Sequence, residues 1–325
     1  MPKTRTTTTP TGKPTPTMGR RRGGEPVHGW IAFDKPLGMT STQAVAAVRR
    51  AANAAKAGHG GTLDPLATGM LPIALGEATK SVAWAMAGVK RYRMTVRWGA
   101  ATATDDAEGA ITETSDQRPD EAAIRAALPR FTGLIMQVPS TYSAILVDGK
   151  RAYDLARAGE DVVLEARPIQ IDALDLVDMP DPDHAVFDVV CGKGAYMRSL
   201  GRDLARALGT VAHLSALRRL SVGRFTVDHA ISVDMLPSLG HNDGLSEHLL
   251  PIETALDDIP ALALTEAEAL RLRQGQHVQP LSPSDRARID QLGNGSIVSI
   301  SAGGKLVAIA ETDAGVLRPV RVMNL

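Results

Sequence analysis

Cysteine and aromatic residues are scarce in this sequence. Its 325 residues include one cysteine, Cys191, and aromatic side chains make up 3% of the chain. A single cysteine cannot form a disulfide within the chain, and cysteines and histidines do not cluster at the spacing of zinc ligands. We therefore expect neither an internal disulfide nor a metal site, and we interpret Cys191 as a buried structural thiol.

Long apolar runs and net charge are also absent. No run approaches the roughly 20 residues that a membrane-spanning helix needs, and the N-terminus lacks the apolar core of a secretory signal. The 36 basic residues balance 36 acidic residues, so the chain is not the strongly basic object that nucleic-acid binders often are. These features predict a globular protein of the reducing cytoplasm, with no membrane partner.

The charges are unevenly distributed along the chain. Six basic residues precede the first acid, Glu25, in a segment rich in threonine, proline and glycine: Lys3, Arg5, Lys13, Arg20, Arg21 and Arg22. This segment has too little apolar surface to fold, so residues 1–26 are predicted to form a disordered basic tail that either attracts phosphates or is a solvated extension. Acidic residues gather at Asp105, Asp106 and Glu108, which we expect to face away from any polyanion.

The most unusual stretch runs from Gly58 to Ile73 and surrounds a single carboxylate, Asp64, with glycines, prolines and apolar residues. Pro65 has no backbone N–H and disfavours helical dihedrals at Asp64, so the carboxylate should project from a fixed, extended backbone. A nucleophile or general base needs such fixed geometry. The alternative is that Asp64 only caps the turn over 65–68.

Hydrophobic periodicity predicts the alternation of elements. Alternating patterns indicate strands near 28–33, 71–75 and 90–98, and an amphipathic pattern indicates a helix that begins at Thr40 or Ser41. Strands and helices do not repeat evenly. We therefore predict an α+β fold with a mixed, mainly antiparallel sheet flanked by helices, and not a doubly wound fold.

The pattern changes after residue 250. Short alternating runs at 296–300, 305–311 and 317–323 are separated by glycine- and asparagine-containing turns. They predict a small β-rich domain over 250–325, after a larger domain over 27–249.

A second informative stretch runs from Phe187 to Leu200 and predicts a strand, a Gly-Lys-Gly turn and a helix. Such a passage can point backbone N–H groups at a phosphate, but it lacks the third glycine of a dinucleotide fingerprint and the hydroxyl of a P-loop. Tyr196 and Arg198 lie where the helix begins. Arg198 could hold a nearby carboxylate in a cleft or be a surface charge on a helix.

The strand that opens with Lys90-Arg91-Tyr92 places one aromatic among cations. This interleaving suits a nucleobase stacked on Tyr92 with phosphates nearby. The pattern alone favours the simpler alternative of an amphipathic strand with solvated cations and Tyr92 at its rim.

Several of these stretches, in the same order, resemble one family, the TruB-type tRNA pseudouridine-55 synthases. The resemblance rests on these segments: Asp34 to Ser41, Gly58 to Lys80, Lys90 to Tyr92, Cys191 to Leu204 and His213 to Arg219. The C-terminal domain resembles the family's PUA-like RNA-binding domain less sharply. The sequence departs from the family pattern at Gly60, where threonine is usual, and at Gly192 and Ala195, which replace more polar residues.

The resemblance implies that residues 27–249 form a pseudouridine synthase domain that converts uridine 55 in the T-loop of tRNA. It makes Asp64 the catalytic residue. Six further residues would bind the substrate or support its site: His59 filling the space of the flipped base, Tyr92 stacking on it, Tyr196 and Leu217 lining its pocket, Arg198 pairing with Asp64, and Lys35 supporting the site. The reaction is an isomerisation, so the resemblance implies no cofactor.

Three mechanisms for Asp64 remain open at this point: attack on the anomeric carbon, attack on C6 of the base, and removal of a ribose proton. We favour chemistry at the sugar, as in retaining glycosidases. A nucleosidase and a non-catalytic RNA-binding protein are the alternative functions. We expect tRNA as the partner, and a monomer that requires no protein partner.

Overall fold

A computed structural model of the protein describes residues 23–325 except 144, 148, 161 and 241–243. Most of the predicted basic tail therefore lies outside the described residues. The strands, in chain order, are β1 (Gly29–Lys35), β2 (Ala57–His59), β3 (Ala67–Leu75), β4 (Lys90–Trp98), β5 (Ala100–Thr102), β6 (Ile111–Thr114), β7 (Gly133–Gln137), β8 (Leu146–Val147), β9 (Lys150–Arg151), β10 (Arg167–Asp181), β11 (His184–Cys191), β12 (Ala212–Val222), β13 (Phe225–Thr226), β14 (Ala261–Ala263), β15 (Ile297–Ala302), β16 (Lys305–Asp313) and β17 (Val316–Val322). The α-helices are α1 (Ser41–Ala51), α2 (Val82–Ala87), α3 (Glu121–Ala127), α4 (Ala152–Arg157), α5 (Met197–Ala207), α6 (Gly244–His248), α7 (Glu266–Arg273) and α8 (Pro283–Leu292).

The larger sheet runs in the order β1-β3-β12-β4-β11-β10-β7, with β2 pairing to β3 and β13 to β12. Its pairs are antiparallel except for β3 with β12, which run parallel over a short register from Leu217 opposite Ala67 to Arg219 opposite Gly69. The predicted mixed, mainly antiparallel sheet is confirmed. The parallel pair brings two segments 150 positions apart to the centre of the sheet.

Two α-helices pack against the same face of the larger sheet, on which Leu217 lies opposite both Met94 and Ala67. Helix α5 packs into a cluster that includes Met94, Phe187 and Leu200. Helix α1 packs into a cluster that includes Phe33 and Val48. Burying such side chains stabilises the fold by about 1.5–3 kcal/mol each.

Helix α1 begins where the sequence predicts. Thr40 is its N-cap: the Thr40 hydroxyl accepts from the backbone N–H of Gln43, and the Gln43 side chain accepts from the Thr40 backbone N–H at 2.8 Å. This reciprocal pair satisfies two backbone donors at the helix start. The cap fixes the chain just before the buried Ser41, whose role in the site is described below.

One predicted helix is divided. The sequence suggests a single helix from Glu77 to Ala87, but the chain forms a 3-10 helix over Gly76–Ser81 and then α2. The Ser81 hydroxyl donates to the carbonyl of Ala78 at 2.8 Å, three residues back, which competes with the regular helical pattern.

The C-terminal strands form a separate sheet in the order β14-β15-β16-β17, with its own apolar cluster. This confirms a β-rich C-terminal part. A third apolar cluster joins the two sheets, because Trp30 and Phe225 pack there with Ile309 and Met323. Within the described residues, no helix combines the length and the hydropathy that crossing a membrane requires.

Candidate active site

Asp64 lies in the connection between β2 and β3. Pro65 and Leu66 form a turn in which the Ala67 backbone N–H donates to the backbone carbonyl of Asp64 at 3.1 Å, and β3 begins at Ala67. The Asp64 carboxylate accepts from Arg198, with Nη2 of Arg198 2.9 Å from Oδ2 of Asp64. The Asp64 side chain is 41% exposed and the Arg198 side chain only 7%. The carboxylate is therefore held in place by a buried cation, while part of its surface is accessible to a ligand.

Arg198 lies in the first turn of α5 and makes several contacts. Its Nη1 donates to the carbonyl of Thr104 at 3.0 Å and lies 3.5 Å from Oδ2 of Asp106, while its Nη2 also donates to the carbonyl of Tyr142 at 2.9 Å. The Asp106 side chain is 3% exposed. A guanidinium shared by two carboxylates and two carbonyls has one defined orientation, which it imposes on Asp64.

The acidic run over 105–108 lies beside Asp64 and not on a remote surface. Asp105 pairs with Arg202 at 3.0 Å, Asp106 lies near Arg198, and Glu108 lines a cavity beside Asp64. The sequence suggests a solvated surface because the acids are adjacent. Folding places them against two arginines of α5 that come some 95 positions later in the sequence.

Lys35 and Ser41 hold the backbone around Asp64. Lys35 is fully buried, and its Nζ donates to the carbonyls of Pro36, Met39 and, at 3.4 Å, Pro65. The Ser41 hydroxyl accepts from the backbone N–H of Leu63 at 2.9 Å and reaches the Leu63 carbonyl at 3.0 Å. Burial lowers the pKa of Lys35 to about 8, and the charge of Asp64 opposes part of this shift.

A cavity of about 300 Å³ opens beside Asp64. Its lining includes Tyr92, Tyr196, Arg198 and Leu217, so five of the seven residues predicted for the site share one cavity. Tyr92 lies on β4 and Leu217 on the neighbouring β12, and together they give the cavity an aromatic and an aliphatic wall.

The two tyrosines are protonated phenols at neutral pH. Burial raises the pKa of both Tyr92 and Tyr196 above the usual value, because an ionised phenol loses its hydration there. The backbone N–H of Tyr196 donates to the Gln137 side chain at 2.9 Å, which fixes the residue at the start of α5. Tyr196 can thus donate a hydrogen bond from its hydroxyl, but it is a poor proton acceptor at neutral pH.

The structure places His59 and Lys35 outside the lining of this cavity. His59 lies in β2 and lines an adjacent cavity of about 600 Å³, which also contacts Asp64 and Arg198. Burial, and secondarily the charge of Arg219, lower the pKa of His59, so its ring is neutral at neutral pH. Lys35 contacts the segment around Asp64 through the backbone carbonyl of Pro65.

Sequence reasoning missed three residues of the site: Asp106, Arg219 and Lys90. Arg219 is 2% exposed and lines the Asp64 cavity, as does Lys90, whose pKa burial lowers to about 8. The available signal was the position of Arg219 two residues after Leu217, which places both side chains on one face of a strand. No comparable sequence pattern indicates that a charged residue will be buried.

Gly60 and Gly61 behave differently. A Cβ at Gly60 would lie 3.2 Å from Cβ of Pro72 and 3.3 Å from Cβ of Ala85, so a side chain there needs its neighbours to move. Gly61 has φ of +117°, which favours glycine. Gly60 therefore lies at a tightly packed position, and threonine is the usual residue there in the family pattern.

Comparison with known proteins identifies the family. Residues 49–197 match the family model for the TruB family pseudouridylate synthase N-terminal domain, and residues 198–257 match that for the tRNA pseudouridylate synthase B C-terminal domain. A tRNA pseudouridine synthase B of Rhodospirillum rubrum is 57% identical over 308 residues, which cover 95% of this chain and 100% of the relative. The chain belongs to the TruB family. Its relative of the same name in Caulobacter vibrioides is 52% identical, over 95% of this chain and 100% of the relative.

Solved structures outside the close TruB relatives share the fold. A structure described as a Cbf5-Nop10-Gar1 complex superposes with a TM-score of 0.70 at 24% identity, covering 91% of this chain and 84% of that chain. One of an H/ACA RNP bound to a substrate RNA containing 2'-deoxyuridine gives 0.69 at 22% identity, covering 92% and 86%. At this identity the likeness concerns the fold, and it agrees with the α+β architecture described above.

Proposed function

We propose that this protein isomerises uridine to pseudouridine at position 55, in the T-loop of tRNA. The observation that supports this most directly is the Asp64–Arg198 pair at the mouth of a cavity whose walls include Tyr92 and Leu217. The cavity volume of about 300 Å³ suits one nucleoside. Family membership and relatives named tRNA pseudouridine synthase B support the substrate class.

Asp64 acts at the sugar in this proposal. Its carboxylate attacks C1' while the C1'–N1 bond breaks, and the electron pair of that bond leaves with the uracil as its N1 anion. The base then turns, C5 attacks C1', and the carboxylate leaves with the electrons of its bond to C1'. Loss of the C5 proton and protonation of N1 complete the isomerisation, so no electrons or groups are gained or lost.

The remaining side chains bind and orient the nucleotide. Tyr92 stacks on the uracil, Leu217 contacts its other side, and Tyr196 donates from its phenol to a uracil oxygen. Burial raises the pKa of Tyr196, so its phenol is a hydrogen-bond donor to the base when the nucleotide binds. Arg198 holds Asp64 in the attacking orientation, in a site from which the base excludes water.

A uridine in a folded loop must leave its stack to reach Asp64. His59 lies at the boundary between Asp64 and the adjacent cavity, where a neutral imidazole can fill the place of the flipped base. Lys35 supports this arrangement through the carbonyl of Pro65.

The rest of the chain contributes RNA binding in this proposal. Residues 27–249 form the catalytic domain and 250–325 a PUA-like RNA-binding domain, preceded by the basic tail. The protein acts in the cytoplasm as a monomer without a protein partner or a cofactor. Sedimentation of the protein with and without tRNA measures the stoichiometry, and a dimeric active complex would contradict this part.

The deciding experiment follows a tRNA transcript labelled with tritium at C5 of its uridines. The wild-type protein, in buffer with a chelator, should release tritium from one T-loop uridine and leave pseudouridine there. Asp64→Asn should bind the same transcript with an unchanged Kd and release no tritium. The matched control is Asp34→Asn, since Asp34 pairs with Arg218 and lies outside the cavity lining.

Two other outcomes would contradict the proposal. Release of free uracil, with an abasic site left in the RNA, would identify a nucleosidase. Tight tRNA binding without tritium release by the wild-type protein would identify a non-catalytic RNA-binding protein.

A further inference from the structure

Arg219 is the most deeply buried arginine around the site. It lies on β12, opposite Tyr92 on β4 and Gly69 on β3, and it is 2% exposed. The two strands approach closely there: a Cβ at Gly69 would lie 2.2 Å from the Arg219 carbonyl oxygen, and Gly69 has φ of +98°. A side chain at position 69 would therefore clash with the backbone of Arg219 in its place in the sheet.

The Arg219 guanidinium binds three backbone carbonyls. Its Nε donates to Met70 at 2.7 Å, its Nη1 to Thr62 at 3.2 Å and its Nη2 to Gly61 at 3.0 Å. In the described part of the chain, no carboxylate lies within ion-pair distance of it. Its neighbour Arg218 has the opposite arrangement, since it is partly exposed and forms a bidentate pair with Asp34 at 3.0 and 2.7 Å.

The carbonyls on both sides of Asp64 are all bound. Arg219 holds those of Gly61 and Thr62, and Ser41 reaches that of Leu63 at 3.0 Å. Beyond Asp64, the carbonyl of Pro65 accepts from the backbone N–H of Gly38 at 2.9 Å and from Lys35 at 3.4 Å. The segment 61–65, here called the catalytic loop, is thus fixed to β12, the end of β1 and the start of α1.

A buried guanidinium without a carboxylate is costly unless its N–H groups are bound. The planar fork of arginine can bind two loop carbonyls and a strand carbonyl at once, whereas a lysine ammonium has three donors on a flexible stem and no fixed plane. Arg219 thereby sets the distance between the catalytic loop and the strands that carry Tyr92 and Leu217.

From this geometry we propose that Arg219 is a positioning residue for the reaction: it fixes the catalytic loop so that Asp64 stands at a set distance from the base-binding walls of the cavity. The inference rests on the proposed function, and it adds to it a residue that acts by holding the backbone of the catalytic loop. A displacement of about 1 Å at the reacting centre can cost about a hundredfold in rate.

Arg219→Lys and Arg219→Gln test this, with Arg218→Lys and Arg218→Gln as matched controls on the same strand. We expect Arg219→Gln to lower the single-turnover rate on tRNA about a hundredfold and Arg219→Lys about tenfold. The Kd for tRNA should stay within about threefold, because the Arg219 side chain is 2% exposed and its donors are bound to backbone carbonyls. The Arg218 variants should keep the wild-type rate within about threefold.

Hydrogen exchange supplies a readout that does not depend on activity. Peptides covering the catalytic loop should exchange faster in Arg219→Lys than in wild type, while peptides from β16 should not change. Adding Ser41→Ala to Arg219→Lys should lower the rate by less than the product of the two single effects, because both residues hold one loop.

The inference is overturned if folded Arg219→Lys keeps the wild-type rate and loop exchange, or if rate and tRNA binding fall by the same factor. Arg219→Lys decides the matter should Arg219→Gln not fold. Failure of the proposed function is distinct, since it would appear in the wild-type protein as absence of pseudouridine. The exchange measurement would then still test the loop.

Discussion

The two sheets differ in whether their charged side chains are buried or exposed. Around Asp64 the charged side chains are inside the protein: Arg198, Asp106, Lys35 and Arg219 are each less than a tenth exposed. In the C-terminal sheet the ion pairs are on the surface, as in Arg318 with Asp313, whose side chains are 54% and 36% exposed. Buried charges must be oriented by their partners, whereas surface pairs are free to rearrange.

The one buried acid of the C-terminal part illustrates the contrast. Glu268 is 5% exposed, and it completes the capping box of α7 with Thr265 and accepts from the backbone N–H of Leu281 at 2.7 Å. These hydrogen bonds lower the pKa of Glu268, against the effect of its burial. Charge there serves local structure, while around Asp64 it connects four distant segments. The difference predicts which substitutions matter.

Arg198→Gln should have the largest effect. It removes the partner of Asp64 and leaves the buried Asp106 without its nearby cation, so we expect a loss of about 3 kcal/mol in the free energy of unfolding. The single-turnover rate should fall by about 10²–10³. Urea unfolding and tritium release measure the two effects. Arg202→Gln, on the next turn of α5, is the control; an equal rate loss there would contradict a specific role for Arg198.

Asp106→Asn should have an intermediate effect. The asparagine keeps an oxygen for the Thr104 hydroxyl and the Glu108 backbone N–H, and only the charge beside Arg198 is lost. We expect about 1–2 kcal/mol of destabilisation and about a tenfold lower rate. Asp105→Asn distinguishes this pair from the neighbouring Arg202 pair. A rate unchanged in Asp106→Asn would show that the charge of Asp106 is not needed to orient Arg198.

Buried lysines should make stability depend on pH between about 8 and 9. Burial lowers the pKa of Lys35 and Lys90 to about 8, from 10.5, so above pH 8 the unfolded chain binds more protons than the folded chain. The free energy of unfolding should therefore rise with pH, by up to about 1.4 kcal/mol per pH unit for each lysine. Above pH 9, Cys191 opposes this, because burial raises its thiol pKa to about 12.

Urea unfolding at pH 8.0, 8.5 and 9.0 measures this slope. Lys35→Met and Lys90→Met should each remove part of it, and Lys305→Met, at an exposed position of β16, should not. A slope that is flat in the wild-type protein would contradict the lowered pKa values of these two buried lysines.

Asp313→Asn should have the smallest effect. Its partner Arg318 is more than half exposed, so the free energy of unfolding should change by less than about 0.5 kcal/mol, and the rate of pseudouridine formation should not change. A loss of more than about 1.5 kcal/mol in the free energy of unfolding would be typical of a buried ion pair, and it would contradict the difference drawn between the two sheets.

Local signals made much of the fold predictable from the sequence. The cap at Thr40, the alternation over 90–98 and the glycine turns of the C-terminal strands each act within a few residues, and the structure confirms them. Helix α8 was not predicted, because its polar sequence buries only Ile289 and so carries no apolar stripe.

The site was less accessible to such reasoning. Tyr92 and Leu217 become neighbours only through strand order, and the pattern around Tyr92 alone favoured a rim residue. The resemblance to a family placed them together, and the cavity contains both. Asp106 gave no signal, since an acid within an acidic run indicates solvated surface. The spacing from Leu217 placed Arg219 on the same face of a strand but did not indicate that its side chain is buried. The burial of both residues depends on partners far away in the sequence.

The apolar cluster that joins Trp30 and Phe225 to Ile309 and Met323 couples the two sheets thermodynamically. Lys80 adds a bond to the Val322 carbonyl at 2.7 Å, and Glu77 accepts from the Asn324 backbone N–H at 2.7 Å. Neither sheet can melt without exposing apolar surface of the other, so the chain should unfold in a single calorimetric transition. A site built on buried charge thus draws part of its cooperativity from a sheet that contributes no charge to it.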